Sequence, residues 1–310
     1  MSPAKASTEQ FRRKKRDVNG IILLDKPIGI TSNRALQQVK HLYQASKAGH
    51  TGSLDPLASG MLPLCFGQAT KVSSWLLDSD KTYEVEILIG SRTDTADADG
   101  QVVETNVRSN VSEQELREAC GGFSGEMDQV PPMYSALKKD GKRLYELARE
   151  GKNVERAPRR VTIHELSLIK FDAQRPQLRV SCSKGTYVRT LMEDLAASMD
   201  TLAHVTALRR VAISPFGEAP MVSMAHLEAA DQAGLDGLLI APDRALTSFA
   251  AVSLSSTEAH YLRHGHAVGH VSGTVSGLVR VYDDTGLFLG VGAVQLDGRI
   301  APKRLFVAAN

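Results

Sequence analysis

Apolar positions along the chain change texture several times. Residues 21–27, Ile-Ile-Leu-Leu-Asp-Lys-Pro, are a short continuous apolar run closed by Pro27, as expected of a buried strand. Leu36, Val39, Leu42 and Tyr43 then recur at helical spacing, with Ser32 placed to cap the helix. Residues 49–67 are dense in glycine and proline, which is expected to break regular structure. A second helix is predicted over roughly 69–78, carried by Val72, Trp75 and Leu76. Tyr83, Val85, Ile87 and Ile89 then alternate with Glu84 and Glu86, the period of two of a half-buried strand. The stretch RTDTADADG that follows reads as a polar loop.

Residues 112–120 have helical spacing, and 124–160 read as an irregular basic segment holding one short helix, LYELARE. VTIHELSLIKF and QLRVSCS read as two strands, leading through Lys184 and Gly185 into a helix, TYVRTLMEDLAASM, that Thr186 can cap. Residues 221–247 read as helix and linker. From about 248 onward, short Val, Leu and Phe runs alternate with glycine-rich turns, the texture of a small all-β module. There is no internal repeat, and the main body is mixed α+β.

Composition adds bounds. A 310-residue chain that is 42% hydrophobic has ample material for a core. No apolar run is long enough to span a bilayer, and no secretory signal is visible at the N-terminus. Cys65, Cys120 and Cys182 are far apart and odd in number, which fits neither a disulfide framework nor a zinc site; a reducing cytoplasm is the expected setting. The net charge of +2 says little, but its distribution says more. Residues 12–16 read RRKKR, and residues 138–160 hold nine Lys or Arg against four Asp or Glu. Clusters like these can neutralise phosphates in a nearly neutral chain.

The candidate chemistry centres on KAGHTGSLDPLASGMLP, residues 47–63, where Asp55 is a lone carboxylate among glycines and prolines. Pro56 pushes Asp55 toward extended backbone, and the glycines allow a ligand to approach closely. A turn aspartate bonding its own backbone is the plain reading. No Gly-Lys-Ser/Thr follows, against a phosphate loop, and no second carboxylate or His lies at metal-ligand spacing. A catalytic Asp55 would have to be ionised and positioned. Arg189, in the first turn of a predicted helix and near Tyr187, is the candidate cation, and such a partner typically lowers an Asp pKa by about 1–3 units. His260, His264, His266 and His270 include i, i+4 pairs, but in a glycine-broken stretch without Cys. In RTDTADADG, Thr95 and Asn106 would fall at the first and last ligand positions of a calcium loop, which argues against calcium.

Seven blocks now occur in order: GHTGSLDPLASGMLPLCFGQATK, DKTYEVEILIG, RTDTADADG, VPPMYSALKKDGKRLYELAREG, SKGTYVRTLMEDL, HVTALRR and APKRL. With them the chain resembles the TruB family of tRNA pseudouridine synthases, which act on uridine 55 of the TΨC loop. The resemblance runs from about residue 19 to the end. It implies an α+β core with a mainly antiparallel sheet over 19–247, carrying a thumb-like RNA-binding insertion at about 124–160. It also implies a PUA-like RNA-binding domain over 248–310, behind a disordered basic tail at 1–18. By the same resemblance Asp55 is the catalytic aspartate, Arg189 its paired cation and Tyr83 the ring that stacks on the extruded uracil. His50 fills the gap left in the RNA stack, Tyr187 is a second site tyrosine, Leu208 is an apolar wall of the uracil pocket, and Lys26 and Pro27 are a pair near the site.

The implied reaction breaks C1′–N1 and makes C1′–C5 within one nucleotide, so it needs neither metal nor organic cofactor. The carboxylate could attack the base at C6 or the sugar at C1′; both routes stay open. The implied partner is the TΨC stem-loop of tRNA. The protein is expected to be a cytoplasmic monomer that needs no membrane and no protein partner. Two rivals stand beside this: an RNA-binding or folding protein with an idle pocket, and a relative that depends on a guide RNA.

Overall fold

A computed structural model of the chain describes residues 15–269 and 275–306. Of the tail expected over 1–18, residues 1–14 lie outside the described residues. Residues 15–18 pack on the body: Val18 is buried, the Arg16 backbone pairs with Gln44 and Ser46, and its guanidinium pairs with Asp236.

The body begins with β1 (Gly20–Lys26), α1 (Ser32–Leu42), β2 (Ala48–His50), β3 (Ala58–Phe66), α2 (Ser73–Leu77) and β4 (Lys81–Ile89). A hairpin, β5 (Ser91–Thr93) and β6 (Val102–Thr105), precedes α3 (Glu113–Gly122) and β7 (Gly125–Gln129). A second small hairpin, β8 (Lys138–Lys139) and β9 (Lys142–Arg143), leads into α4 (Leu144–Arg149). The body closes with β10 (Arg159–Lys170), β11 (Gln177–Cys182), α5 (Val188–Ala197), β12 (Ala203–Ile213), β13 (Val222–Ser223), α6 (Met224–Ala229) and α7 (Gln232–Gly237).

One large sheet organises these elements in the order β13-β1-β3-β12-β4-β11-β10-β7, with β2 added beside one end of β3. Its pairs are antiparallel except β1–β13 and β3–β12, so the sheet is mainly antiparallel as expected. The stretch Ile21–Leu24 of β1 is apolar at every position because both faces are covered there. Ile22 and Leu24 enter the core beneath α1 and α5, while Ile21 and Leu23 enter a second core on the other face. β4 is covered on one face only: Val85, Ile87 and Ile89 point inward, while Glu84 and Glu86 meet Arg179 and the Thr206 hydroxyl outside.

Several local expectations need correction. Residues 49–67 were expected to be irregular, yet β3 is a central nine-residue strand. Its two awkward residues sit where the sheet tolerates them. The Pro63 carbonyl accepts from the Thr51 amide, so its nitrogen faces the same side, between the ends of β12 and β2 where no ladder donor is needed. Gly60, at φ +96°, lies so close to β12 that a Cβ would sit 2.2 Å from the Arg210 carbonyl. The cap of α1 is Thr31, which accepts from the Arg34 amide; the Ser32 hydroxyl turns inward to Leu54. Thr186 does not cap α5: its hydroxyl donates to the Ser183 carbonyl, and Tyr187 is the N-cap residue. The second helix is a 3₁₀ turn, Gly67–Val72, running into α2. The 124–160 segment is not wholly irregular, because β7 within it pairs with β10 in the large sheet.

The C-terminal module contains β14 (Ala250–Ser253), α8 (Ser256–Arg263), β15 (Leu278–Tyr282), β16 (Phe288–Val294) and β17 (Ile300–Leu305), with the strands in that order in one sheet. The expected all-β texture holds for the sheet. The one helix, α8, starts at a capping box between Ser255 and Glu258. One face of the module forms its own core around Leu254, Leu262, Val279 and Val281. The other joins the body: Val291, Phe288 and Phe306 pack in the cluster that holds Ile21, Met61 and Leu76. All three cysteines are buried thiols.

Candidate active site

Asp55 sits in the loop between β2 and β3, with 46% of its side chain accessible. Its neighbours Leu54 and Ala58 are buried in the core, so the loop is anchored while its carboxylate faces outward. Arg189 rises from the first turn of α5, and its Nη2 stands 2.9 Å from Asp55 Oδ2. The guanidinium itself is almost wholly buried and has further partners. Nη1 donates to the Thr95 carbonyl at 2.7 Å and lies 3.2 Å from Asp97 Oδ2, while Nη2 donates to the Tyr134 carbonyl at 2.8 Å. One cation therefore stands between a buried carboxylate and an accessible one.

Asp97 went unread in the sequence because RTDTADADG offers three similar aspartates and no periodicity to rank them. The tertiary structure separates them. Ala96 takes a left-handed backbone, φ +61°, and the chain on both sides of Asp97 is stitched to Val205 of β12. Asp97 Oδ1 accepts from the Thr95 hydroxyl at 2.6 Å, leaving Oδ2 to Arg189.

The electrostatic balance at Asp55 differs from the sequence expectation of a lowered pKa. Crowding by protein atoms pushes the carboxyl above its ordinary value; Arg189 pulls it down, Asp97 and Asp99 push it up, and Lys26 pulls it down. The net direction is upward. Arg189 thus offsets a desolvation cost instead of creating an unusually acidic group.

Tyr83 lies on the inward face of β4, half-buried against the core; burial raises its phenol pKa, and the nearby Arg210 charge opposes this. Leu208 of β12 is buried between Val85 and Ala58. His50 ends β2 with a buried, unpartnered Nδ1, and burial together with Arg210 lowers its pKa, so the ring is neutral near pH 7. Tyr187 caps α5, and its backbone is gripped by the Gln129 side chain, which accepts from its N–H at 2.8 Å and donates to its C=O at 3.1 Å. Pro27 is exposed. Lys26 is fully buried: its ammonium donates to the Pro27 and Ile30 carbonyls, and burial lowers its pKa to about 8. Its charge is felt at Asp55 from within the fold.

Two further supports were not legible in the sequence. Gln129 lies in the segment expected to be irregular. Arg210 looks like one half of a surface Arg-Arg pair, yet it is only 1% accessible. Its Nε donates to the Met61 carbonyl at 2.7 Å and its Nη2 to the Gly52 carbonyl at 3.1 Å, bracing the β2–β3 loop. Its neighbour Arg209 faces the other way, paired with Asp25 at 2.9 Å through both amino groups.

Beside the site, Lys138, Lys139, Lys142, Arg143 and Lys152 are exposed. Arg143 and Arg149 flank the Tyr145 ring at 5.8 and 5.5 Å. Cations around an aromatic suit a stacked, charged polymer such as RNA. The same segment reaches the site through the Tyr134 carbonyl on Arg189. Among the described residues no three His, Cys, Asp or Glu groups converge as a metal site. His260 and His264 are neighbours, but His264 Nδ1 is engaged with the His260 carbonyl, and His270 lies outside the described residues. Among the described residues no helix is long and apolar enough to cross a membrane.

Comparison with known proteins agrees along nearly the whole chain. Residues 40–188 match the family model for the TruB family pseudouridylate synthase N-terminal domain. Residues 189–247 match that for a tRNA pseudouridylate synthase B C-terminal domain, and 250–306 that for the pseudouridine synthase II TruB C-terminal region. A tRNA pseudouridine synthase B of Methylobacillus flagellatus is 48% identical over 301 residues, covering 97% of this chain and 99% of that one. One of Shigella boydii is 47% identical over 307 residues, covering 96% and 98%. Among solved structures, a chain of a Cbf5-Nop10-Gar1 complex superposes with a TM-score of 0.72 at 21% identity, over 93% of this chain and 85% of that one, a likeness of fold.

Proposed function

The chain belongs to the TruB family of pseudouridylate synthases, and from that membership and the geometry around Asp55 we propose that it isomerises uridine 55 in the TΨC loop of tRNA to pseudouridine. One pairing supports this above all: an accessible carboxylate 2.9 Å from a buried guanidinium whose other partners hold it in place. Asp55 is the nucleophile, at uracil C6 or ribose C1′. Arg189 keeps it ionised and aimed. The target base has to leave its stack, at a cost of a few kcal/mol, and stacking on an aromatic such as Tyr83 returns about 1–3 kcal/mol. Leu208 supplies an apolar wall that lets the detached uracil turn. The neutral His50 ring occupies the vacated place in the RNA without burying a charge. Tyr187 lines the site, and Pro27 borders it, with Lys26 behind. The basic insertion and the PUA-like module grip the RNA backbone. The enzyme works as a cytoplasmic monomer without metal, cofactor, guide RNA or protein partner.

The test is pseudouridine mapping, by mass or primer extension, in a bare tRNA transcript treated with the purified protein. Modification at position 55 is expected. Asp55→Asn is expected to lower turnover by at least about 10³-fold while leaving tRNA binding largely intact. Unchanged turnover in that variant would sink the assignment, and a requirement for added RNA or protein would favour a guide-dependent enzyme.

A further inference from the structure

We infer that Ser32 and Gly29 form a bracket that pins the backbone on both sides of Asp55, which makes Ser32 a positioning residue for the proposed reaction. The Ser32 hydroxyl meets both polar groups of Leu54, accepting from its N–H at 2.7 Å and donating to its C=O at 3.0 Å. The Gly29 amide donates to the Pro56 carbonyl at 2.8 Å. Leu54 and Pro56 are the residues before and after Asp55, so the backbone on both sides of the carboxylate is tied to the segment that starts α1.

That segment is rigid for independent reasons. Ala35, Leu36 and Val39 seat α1 in the core, and Thr31 caps it. The Lys26 ammonium holds the turn before it through the Pro27 and Ile30 carbonyls. Ser32 is 3% accessible and is not the cap, so helix formation does not explain its hydroxyl. A side chain must both donate and accept on a one-carbon stem to satisfy Leu54. Alanine would leave a buried amide and carbonyl unpaired, and the loop would shift to find partners. Arg189 holds the carboxylate from the front and the bracket holds its backbone from behind. A misplacement of about 1 Å at a reacting group can cost about 10²-fold in rate.

This inference rests on the proposed activity, and its test separates the two. Steady-state kinetics on tRNA are compared for the wild-type protein, Ser32→Ala, Ser32→Cys and Thr31→Ala, with tRNA affinity and melting temperature measured alongside. Ser32→Ala is expected to lower kcat by about 10–100-fold with KM and affinity within about threefold. Ser32→Cys, which keeps a weak donor and acceptor, is expected to fall between it and wild type. Thr31→Ala removes the helix cap beside the bracket, and is expected to lower the melting temperature while kcat stays within about twofold. A wild-type kcat in Ser32→Ala would overturn the bracket, as would a kcat loss in Thr31→Ala as large as that in Ser32→Ala. If Ser32→Ala does not fold, the Leu54 amide in the wild-type protein still decides: exchange as slow as the α1 core amides supports the bracket, and exchange as fast as an exposed loop amide overturns it. No pseudouridine from the wild-type protein would overturn both readings, whereas an active wild type with an unaffected Ser32→Ala overturns the bracket alone.

Discussion

Asp97 Oδ2 lies 3.2 Å from Arg189 Nη1, with 5% of the Asp97 side chain accessible. The pair is buried beside the accessible Asp55 and orients the guanidinium that serves it. Breaking a buried pair by removing one charge commonly costs about 3–5 kcal/mol. Arg189 would keep Asp55 and two carbonyls, so Asp97→Asn belongs toward the low end of that range. The expected outcome is a lower melting temperature and a kcat reduced by about 10–100-fold with little change in tRNA affinity. Chemical denaturation and single-turnover kinetics check the two parts separately.

The raised pKa of Asp55 has consequences of known sign. In the proposed reaction only the ionised carboxylate attacks, so kcat should fall on acidification at a higher pH than an ordinary aspartate would give. Arg189 opposes the rise, so Arg189→Met should move this acid limb further up. A pH–rate profile whose acid limb stays put in Arg189→Met would contradict the electrostatic part of the account.

Stability should respond in the opposite sense. The folded protein binds the Asp55 proton more tightly than the unfolded chain does, so this group favours folding below the ordinary Asp pKa and loses that contribution as pH rises through the raised value. Asp55→Asn removes the cost of holding a charge there. Its melting temperature at neutral pH should equal or exceed wild type, with the gain shrinking on acidification. Thermal melts across the pH range test this directly.

Lys138, Lys139, Lys142 and Arg143 are exposed on the β8–β9 hairpin and make few ion pairs that would hold them elsewhere. Replacing each with Ala should weaken tRNA binding and reduce the slope of log affinity against log salt by about one per lost phosphate contact, with turnover at saturating tRNA unchanged. Hydrogen exchange should show the hairpin slowing when tRNA binds; strong, equal protection in both states would count against ordering on binding.

Gly60→Ala should be among the most damaging single changes in the core. The Cβ would meet the Arg210 backbone at 2.2 Å in a left-handed conformation, and β3 cannot retreat without opening its pairing with β12. A loss of at least about 3 kcal/mol in denaturant unfolding is expected.

Elements with a strong repeating pattern were legible in the sequence: β1, β4, β10, β11, α1, α3 and the change of texture near 248. Asp55, Tyr83 and Arg189 were legible as candidates, because ordered motifs carry them, and the structure places the Asp55 carboxylate 2.9 Å from Arg189. β3 was not, because Gly60 and Pro63 are strand breakers whose penalties vanish only where a neighbouring strand touches the backbone or leaves a donor unneeded. Arg210 was not, because a buried arginine looks like a surface one until its carbonyl partners are in place.

Residue types and local spacing were enough to specify the strongly patterned strands and helices, and to single out Asp55 as a carboxylate in a loop open to a ligand. Such preferences act over a few neighbouring residues, so they survive in a bare string of letters. The partners of those residues come from segments far apart in the chain. Asp97 reaches Arg189 across 92 positions, Gln129 grips Tyr187 across 58 and Ser32 holds Leu54 across 22. Burial and ion pairing act through space, and which aspartate is sheltered, and in which direction the Asp55 carboxyl is pushed, was settled when the sheet brought those distant segments together.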